Sequence, residues 1–257
     1  MFTIATRGSA LALAQANSIL AQCRAAMPGS EFQLKIIKTT GDKLQTASMS
    51  NPDLPKGLFT KELEVALLNG QADLAVHSLK DLPTDLPPGL KLGAAGKRAD
   101  VRDVIIYRDA NFRSPGSANR RGFKPHLTLA ELPAGATVAT SSTRRSAQLL
   151  ERRPDLKVIP IRGNVPTRVK KVAEQAEMDA IILAAAGLHR LHYEIHSDGR
   201  LTGPPKPPPD AGKPIEAPDG LLPHDWNWTK CCRASARPPL ASKFARGTTR
   251  LRPFARS

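Results

Sequence analysis

Basic and hydroxyl side chains recur in short clusters along this chain. They are Arg7 with Ser9, Ser78-Leu79-Lys80-Asp81, Thr140-Ser141-Ser142-Thr143-Arg144-Arg145, and Arg162-Gly163-Asn164. Arginine grips a carboxylate through two parallel hydrogen bonds, and serines that open a helix sit beside its free N–H groups, so such clusters suit a polyanionic ligand. The plain alternative for any one arginine is a solvated face or a surface pair, but four such groups weigh against it. Asp81 is an acid among bases. It is either the charge partner of Lys80 or a carboxylate that stabilises a cation or handles protons. Lys56-Gly57-Leu58-Phe59-Thr60-Lys61-Glu62 is a surface helix start or a mobile basic lip over an anion site. His77 falls on an apolar run and reads as a core histidine, and Cys23 as a buried helix residue.

The elements that must position these residues alternate. Phe2–Thr6 reads as a strand, Ala10–Met27 as a helix stopped by Pro28-Gly29, and Phe32–Lys38 as a strand. Leu58–Leu68 is helical, and Ala72–His77 is a buried strand. A second unit begins near Asp100. It has strands at 104–107, 137–140, 157–161 and 180–185, helices at 142–153 and 165–175, and an exposed polar loop at 110–125. The chemical clusters fall at strand ends, where open α/β sheets bind ligands. This rhythm predicts parallel α/β layers. Beyond Ser197 it fails: Gly203–Pro223 holds eight prolines, the composition of a linker or extended crossing.

Composition narrows the classes. The 257 residues suit one large domain or two smaller ones. No apolar run reaches the ~18–20 residues of a membrane span. The N-terminus lacks a charged stretch followed by an apolar one, so no secretory signal is expected. Cys23, Cys231 and Cys232 make neither a disulfide framework nor a metal motif, which fits a cytoplasmic protein without a metal. The formal charge of +15 resembles a nucleic-acid signal, but residues 231–257 hold seven basic and no acidic side chains. The first 230 residues carry 31 basic against 23 acidic ones. With aromatics at only 4%, few platforms exist for stacking bases, and nucleic acid is not an expected partner.

Taken in order, the motifs resemble the porphobilinogen deaminase family, the hydroxymethylbilane synthases. The matching stretches are Ile4–Ser9, Lys56–Glu64, Asp73–Pro83, Thr140–Arg145, Arg152–Leu156, Arg162–Val165 and Asp179–Ala184, over roughly residues 1–193. The resemblance implies an α/β fold of two periplasmic-binding-protein-like domains with a cleft between them, plus a third α+β domain. It implies a transferase of tetrapyrrole (porphyrin, heme) biosynthesis that joins four porphobilinogen units head to tail, releasing ammonia each time. The chain grows on a dipyrromethane cofactor held by a cysteine thioether in the third domain. Each pyrrole carries an acetate and a propionate, so the ligand gains about two negative charges per ring. By the resemblance Arg7, Arg98, Arg144, Arg145, Arg162 and Arg168 hold those carboxylates. Ser9, Lys56, Ser78, Lys80, Thr140, Ser141 and Ser142 assist. Asp81 matches the family's catalytic aspartate, which pairs with pyrrole N–H groups and stabilises the azafulvene cation formed when ammonia leaves. A monomer without membrane attachment is expected.

The departures concern one helix, the loop Ala110–Pro125, which is longer than the family usually has, and the end. Pro166 stands where the family often has glycine, which a first helical turn tolerates. The third domain and its cofactor cysteine have no counterpart, and neither Cys231 nor Cys232 lies in a matching motif. Back-translated with permitted codons and regrouped one nucleotide earlier, residues 231–242 read Met-Leu-Pro-Cys-Val-Gly-Gln-Ala-Ala-Ile-Gly-Leu. That is similar to the family's segment entering its third domain. The expectation is therefore domain 1 at 1–98 plus about 195–228, domain 2 at 99–194, and a truncated protein ending in a frameshifted, disordered tail at 229–257. Activity is then expected to be lost. The rival reading is a non-catalytic polycarboxylate-binding module.

Overall fold

The computed structural model describes residues 1–43, 57–111, 120–203, 218–226 and 240–245. The chain divides into two compact α/β units, Met1–Arg98 with Arg237–Ser257, and Ala99–Ala236.

In the first unit the strands are β1 (Phe2–Thr6), β2 (Phe32–Ile36), β3 (Leu74–Ser78) and β4 (Leu90–Ala95), and the helices are α1 (Ala10–Ala26), α2 (Thr40–Lys43) and α3 (Lys61–Leu68). β1 pairs in parallel with both β2 and β3. Alternation sends β1 and β3 side chains to opposite faces. Ile4, Leu74 and Val76 pack with Ala16 of α1, while Ala5 and Ala75 pack with Leu63 and Leu67 of α3. Ser9 opens α1 as its cap, accepting from the Ala12 N–H at 3.3 Å. α3 begins later than its apolar pattern predicts, because Gly57 takes a positive φ of 79° and the chain turns there until Thr60. Cys23 is half-buried against the α1-side core, and burial pushes its thiol pKa up.

The second unit holds β5 (Asp103–Arg108), β6 (Thr137–Ala139), β7 (Lys157–Ile159), β8 (Ala180–Ala184), β9 (Glu194–Ile195), β10 (Leu201–Thr202) and β11 (Leu221–Trp226), with helices α4 (Thr143–Arg152), α5 (Val165–Glu174) and α6 (Ala185–Arg190). β6 pairs in parallel with β7 and β8, and β5 runs antiparallel between β8 and β11. β5 and β8 are buried along their whole length, as strands covered on both faces must be. Ser142 caps α4, accepting from the Arg145 N–H, and Asn164 caps α5, accepting from the Thr167 N–H at 2.9 Å. Pro166 sits in the first turn of α5, as expected. Arg108, buried, closes the other end of α5 by donating to the Val172, Gln175 and Met178 carbonyls.

Two boundaries differ from the sequence reading. The sequence pattern places residues 195–228 with the first unit, but Leu221–Trp226 pairs with β5 through six registered residues. Pro223 is compatible with that place because β11 is an edge strand. The tail was expected to be disordered throughout. Instead Leu240–Ala245 forms β12 in the first sheet, antiparallel between β3 and β4. That run has neither proline nor glycine to interrupt a ladder, a local feature hidden by the composition of its surroundings. β4 was also missed, since Leu-Lys-Leu-Gly-Ala-Ala has few β-formers and stays mostly exposed. No helix among the described residues is long and apolar enough to cross a membrane.

Candidate functional site

In both units the parallel strands end on the edge where the chemical clusters lie, so topology gathers what the sequence spreads out.

In the first unit, β1 delivers Arg7 and Ser9, and β3 delivers Ser78, Lys80 and Asp81. The segment after β2 brings Thr39, Thr40 and Asp42. Arg7 is held on two sides. Its Nε donates to Asp42 Oδ2 at 3.3 Å, its Nη2 pairs with Asp42 Oδ1, and its Cζ lies 4.1 Å over the Phe59 ring. Asp42 Oδ2 also accepts from Thr39 Oγ1 at 2.7 Å. Burial opposes ionisation of Asp42, but the hydrogen bonds from Arg7 and Thr39 prevail and keep its pKa below the usual carboxylate range. Thr40 gives its N–H and hydroxyl to Glu62 Oε1 at 2.7 and 2.6 Å, and the Gly41 N–H donates to the Leu58 carbonyl at 2.8 Å. A side chain at Gly41 would meet the Phe59 ring at 2.1 Å, which is why glycine stands there. Ser78 Oγ exchanges hydrogen bonds with the Gln15 amide at 3.1 and 3.2 Å. Asp81 closes a single 3-10 turn after β3, 3.9 Å from Lys80 Nζ, with Lys80 58% and Asp81 28% exposed. Arg98 is exposed on the segment between β4 and β5. Lys56 lies outside the described residues.

In the second unit, β6 ends at Thr140-Ser141-Ser142 and β7 at the turn carrying Arg162 and Gly163. The hydroxyls are largely committed to holding that edge. Thr140 Oγ1 accepts from the Ser142 N–H, and Ser141 Oγ bonds both the N–H and the carbonyl of Ile161 at 3.0 and 2.7 Å. Arg144 and Arg145 were expected to face a ligand together, and they diverge. Arg144 is 41% exposed, reaching Gln148 and lying 3.7 Å from Asp103. Arg145 is buried and spends its donors on both oxygens of Asp103, at 2.6 and 3.0 Å, and on the Ile182 carbonyl. The one-residue offset turns adjacent helical side chains about 100° apart.

Arg168 is the least compensated of the sequence-singled arginines. It is mostly buried on α5, and its Nε donates to the Gly163 carbonyl at 2.8 Å. Burial first, then repulsion from Arg145 and Arg162, pushes its pKa down, and no carboxylate among the described residues pairs with it. Gly163 takes φ 110° and would crowd Thr167 at 2.6 Å if it carried a side chain, so glycine lets that carbonyl reach Arg168. Arg190 was missed by sequence reasoning. It ends α6, and its guanidinium is half-buried with no hydrogen-bonding or ion-pair partner among the described residues, so burial lowers its pKa. A basic residue in a last helical turn is ordinary, and only burial marks it out.

Such arginines are suited to a ligand carrying several carboxylates. The described residues fit less well to covalent attachment. A thioether needs an accessible thiolate, whereas Cys23 is half-buried in α1 with a raised pKa. Cys231 and Cys232 lie outside the described residues. No group of three or more metal-ligating side chains occurs among the described residues.

A family model described as porphobilinogen deaminase, dipyromethane cofactor binding domain, matches residues 2–209. The chain is 50% identical over 188 residues to a porphobilinogen deaminase of Desulforudis audaxviator, covering 73% of this chain and 55% of that protein. It is 45% identical over 191 residues to that of Syntrophobacter fumaroxidans, covering 74% and 56%. It is 47% identical over 189 residues to a probable porphobilinogen deaminase of Pyrobaculum islandicum, covering 74% and 57%. The chain thus spans little more than half the length of these relatives. Among solved structures, HinK, a LysR family transcriptional regulator from Pseudomonas aeruginosa, aligns over 98% of this chain and 66% of that one, with 13% identity and a TM-score of 0.49. So loose a likeness bears no weight on function.

Proposed function

Because the chain belongs to the porphobilinogen deaminase family, we propose that it supplies the substrate-holding units of a hydroxymethylbilane synthase. The reaction is the head-to-tail condensation of four porphobilinogen units with ammonia release, in tetrapyrrole biosynthesis. The two units are of the periplasmic-binding-protein kind, each offering the carboxyl edge of its sheet to ligand. Dipyrromethane is the cofactor expected, and when bound it supplies the starting pyrroles for chain growth.

The observation that carries the proposal is the arginine cluster around Arg168. A mostly buried guanidinium, repelled by Arg145 and Arg162 and without a paired carboxylate among the described residues, costs stability unless an anion arrives. The acetate and propionate of a pyrrole ring are such anions. On the other edge, Asp81 is partly exposed and only loosely held by Lys80. It is free to accept from pyrrole N–H groups and to stabilise positive charge as ammonia departs.

Cys23 does not suit attachment, and residues 231–257 read as out of frame. We therefore propose that the 257-residue chain binds porphobilinogen without turning it over to hydroxymethylbilane. Calorimetry together with intact-mass measurement after incubation with porphobilinogen tests both parts. Binding with no added mass is expected. No binding would overturn the functional assignment. An added mass of two pyrrole units on any cysteine would overturn the proposed inactivity. The nucleotide sequence around codon 230 checks the reading frame.

A further inference from the structure

Arg7 differs from Arg168 in having a full counter-charge. The side edge of its guanidinium, Nε with Nη2, is spent on Asp42, and its face is stacked on Phe59. Nη1 has no hydrogen-bond partner among the described residues, so the Nη1–Nη2 end is the part left to a ligand. The arrangement is braced. Asp42 is fixed from Thr39, and Gly41 closes on Phe59 and on the Leu58 carbonyl. The guanidinium is thus rigid, directional and, with its partner, electrically neutral.

We propose that Asp42 is a specificity-determining residue. By cancelling the charge of Arg7 while fixing its orientation, it makes this arginine select a carboxylate by geometry and not attract anions at large. An arginine without such a partner draws any small anion by Coulomb attraction, inorganic phosphate included. One paired with a carboxylate rewards only an acceptor that meets its open end with correct hydrogen-bond angles. The proposal deepens the reading of this edge as a porphobilinogen site and rests on it.

The test compares porphobilinogen with inorganic phosphate as ligands of the full chain, by calorimetry at low salt. Asp42→Asn removes the counter-charge with little change of shape. It should tighten phosphate binding on the order of fivefold to tenfold, as an uncompensated charge near the protein surface does. Porphobilinogen should gain less, so the preference between the two narrows. Asp42→Glu restores the charge and should return phosphate affinity to within about twofold of the parent. The double variant Arg7→Gln/Asp42→Asn keeps the site neutral and answers the question if the single variant does not fold. Its phosphate affinity should match the parent within about twofold, while porphobilinogen binding weakens at least about fivefold. Phosphate affinity unchanged by Asp42→Asn, or phosphate and porphobilinogen falling together in the double variant, would overturn the proposal. A parent that binds phosphate but not porphobilinogen would refute the functional reading instead, and the phosphate arm would still judge Asp42.

Discussion

Counted from the parallel edge, the two sheets have one design. The first is ordered β2-β1-β3-β12-β4 and the second β7-β6-β8-β5-β11, and in each the fourth strand alone is reversed. On this shared scaffold the carboxyl edges carry charge differently. The first unit mixes signs: Arg7 with Asp42, Lys80 with Asp81, and Glu62 under Thr40. The second is more basic: Asp103 is buried beneath Arg144 and Arg145, Asp100 and Asp225 pair with Arg102, and Arg168 has no carboxylate partner among the described residues. The scaffold sets where such an edge forms, and the counter-ions set what it suits. A compensated edge suits chemistry needing an acid and exact orientation. An undercompensated edge suits holding a polyanion.

The largest effect should come from the acid of the first edge. In a form of the protein that turns over porphobilinogen, Asp81→Asn should lower turnover by about 10²–10³ while the fold persists. A change below about threefold would leave Asp81 as no more than a partner for Lys80 and erase the contrast between the edges.

The next effect compares the two ion pairs directly. Arg145–Asp103 is buried, whereas Arg7 and Asp42 are 20% and 21% exposed. Asp103→Ala strands a buried guanidinium and should cost about 3–5 kcal/mol in denaturant unfolding. Asp42→Ala should cost about 1 kcal/mol. Equal costs would mean that the edges are not differently built.

How much of this could be read in the sequence follows the same physics. The apolar periods of β1, α1, β5, β8, α4 and α5 gave those elements, since each buries a regular face. β4, α6 and β12 were not legible, being short, weakly apolar or set in misleading composition. The candidate residues were legible as types placed at strand ends, and their different hydrogen-bond partners were not. That Arg145 turns inward to Asp103 while Arg144 turns out depends on a partner 42 residues away. Asp42 and Arg190 gave no signal, because one is an ordinary acid near a turn and the other an ordinary helix-end base until burial and neighbours are known.

A smaller effect concerns pH. The folded-state pKa of Asp42 lies below its ordinary value, so its contribution is present above pH ~4 and is lost as pH falls through the folded value. Asp42→Asn should flatten the acid side of the stability curve by on the order of 1 kcal/mol or less. Melting temperatures between pH 3 and 7 measure it, and identical acid slopes would show that the pair adds nothing to stability.

The central claim, that the second edge is an anion site left undercompensated for its ligand, is tested most directly by melting Arg168→Gln beside the parent chain, with and without porphobilinogen. Removing a mostly buried, repelled guanidinium should leave the unliganded chain as stable as the parent or more so, as removing a functional strain does. The stabilisation by porphobilinogen seen in the parent should largely disappear. A variant that melts earlier without ligand yet keeps the full ligand-induced shift would contradict the account, because Arg168 would then be a structural residue and the anion would bind elsewhere.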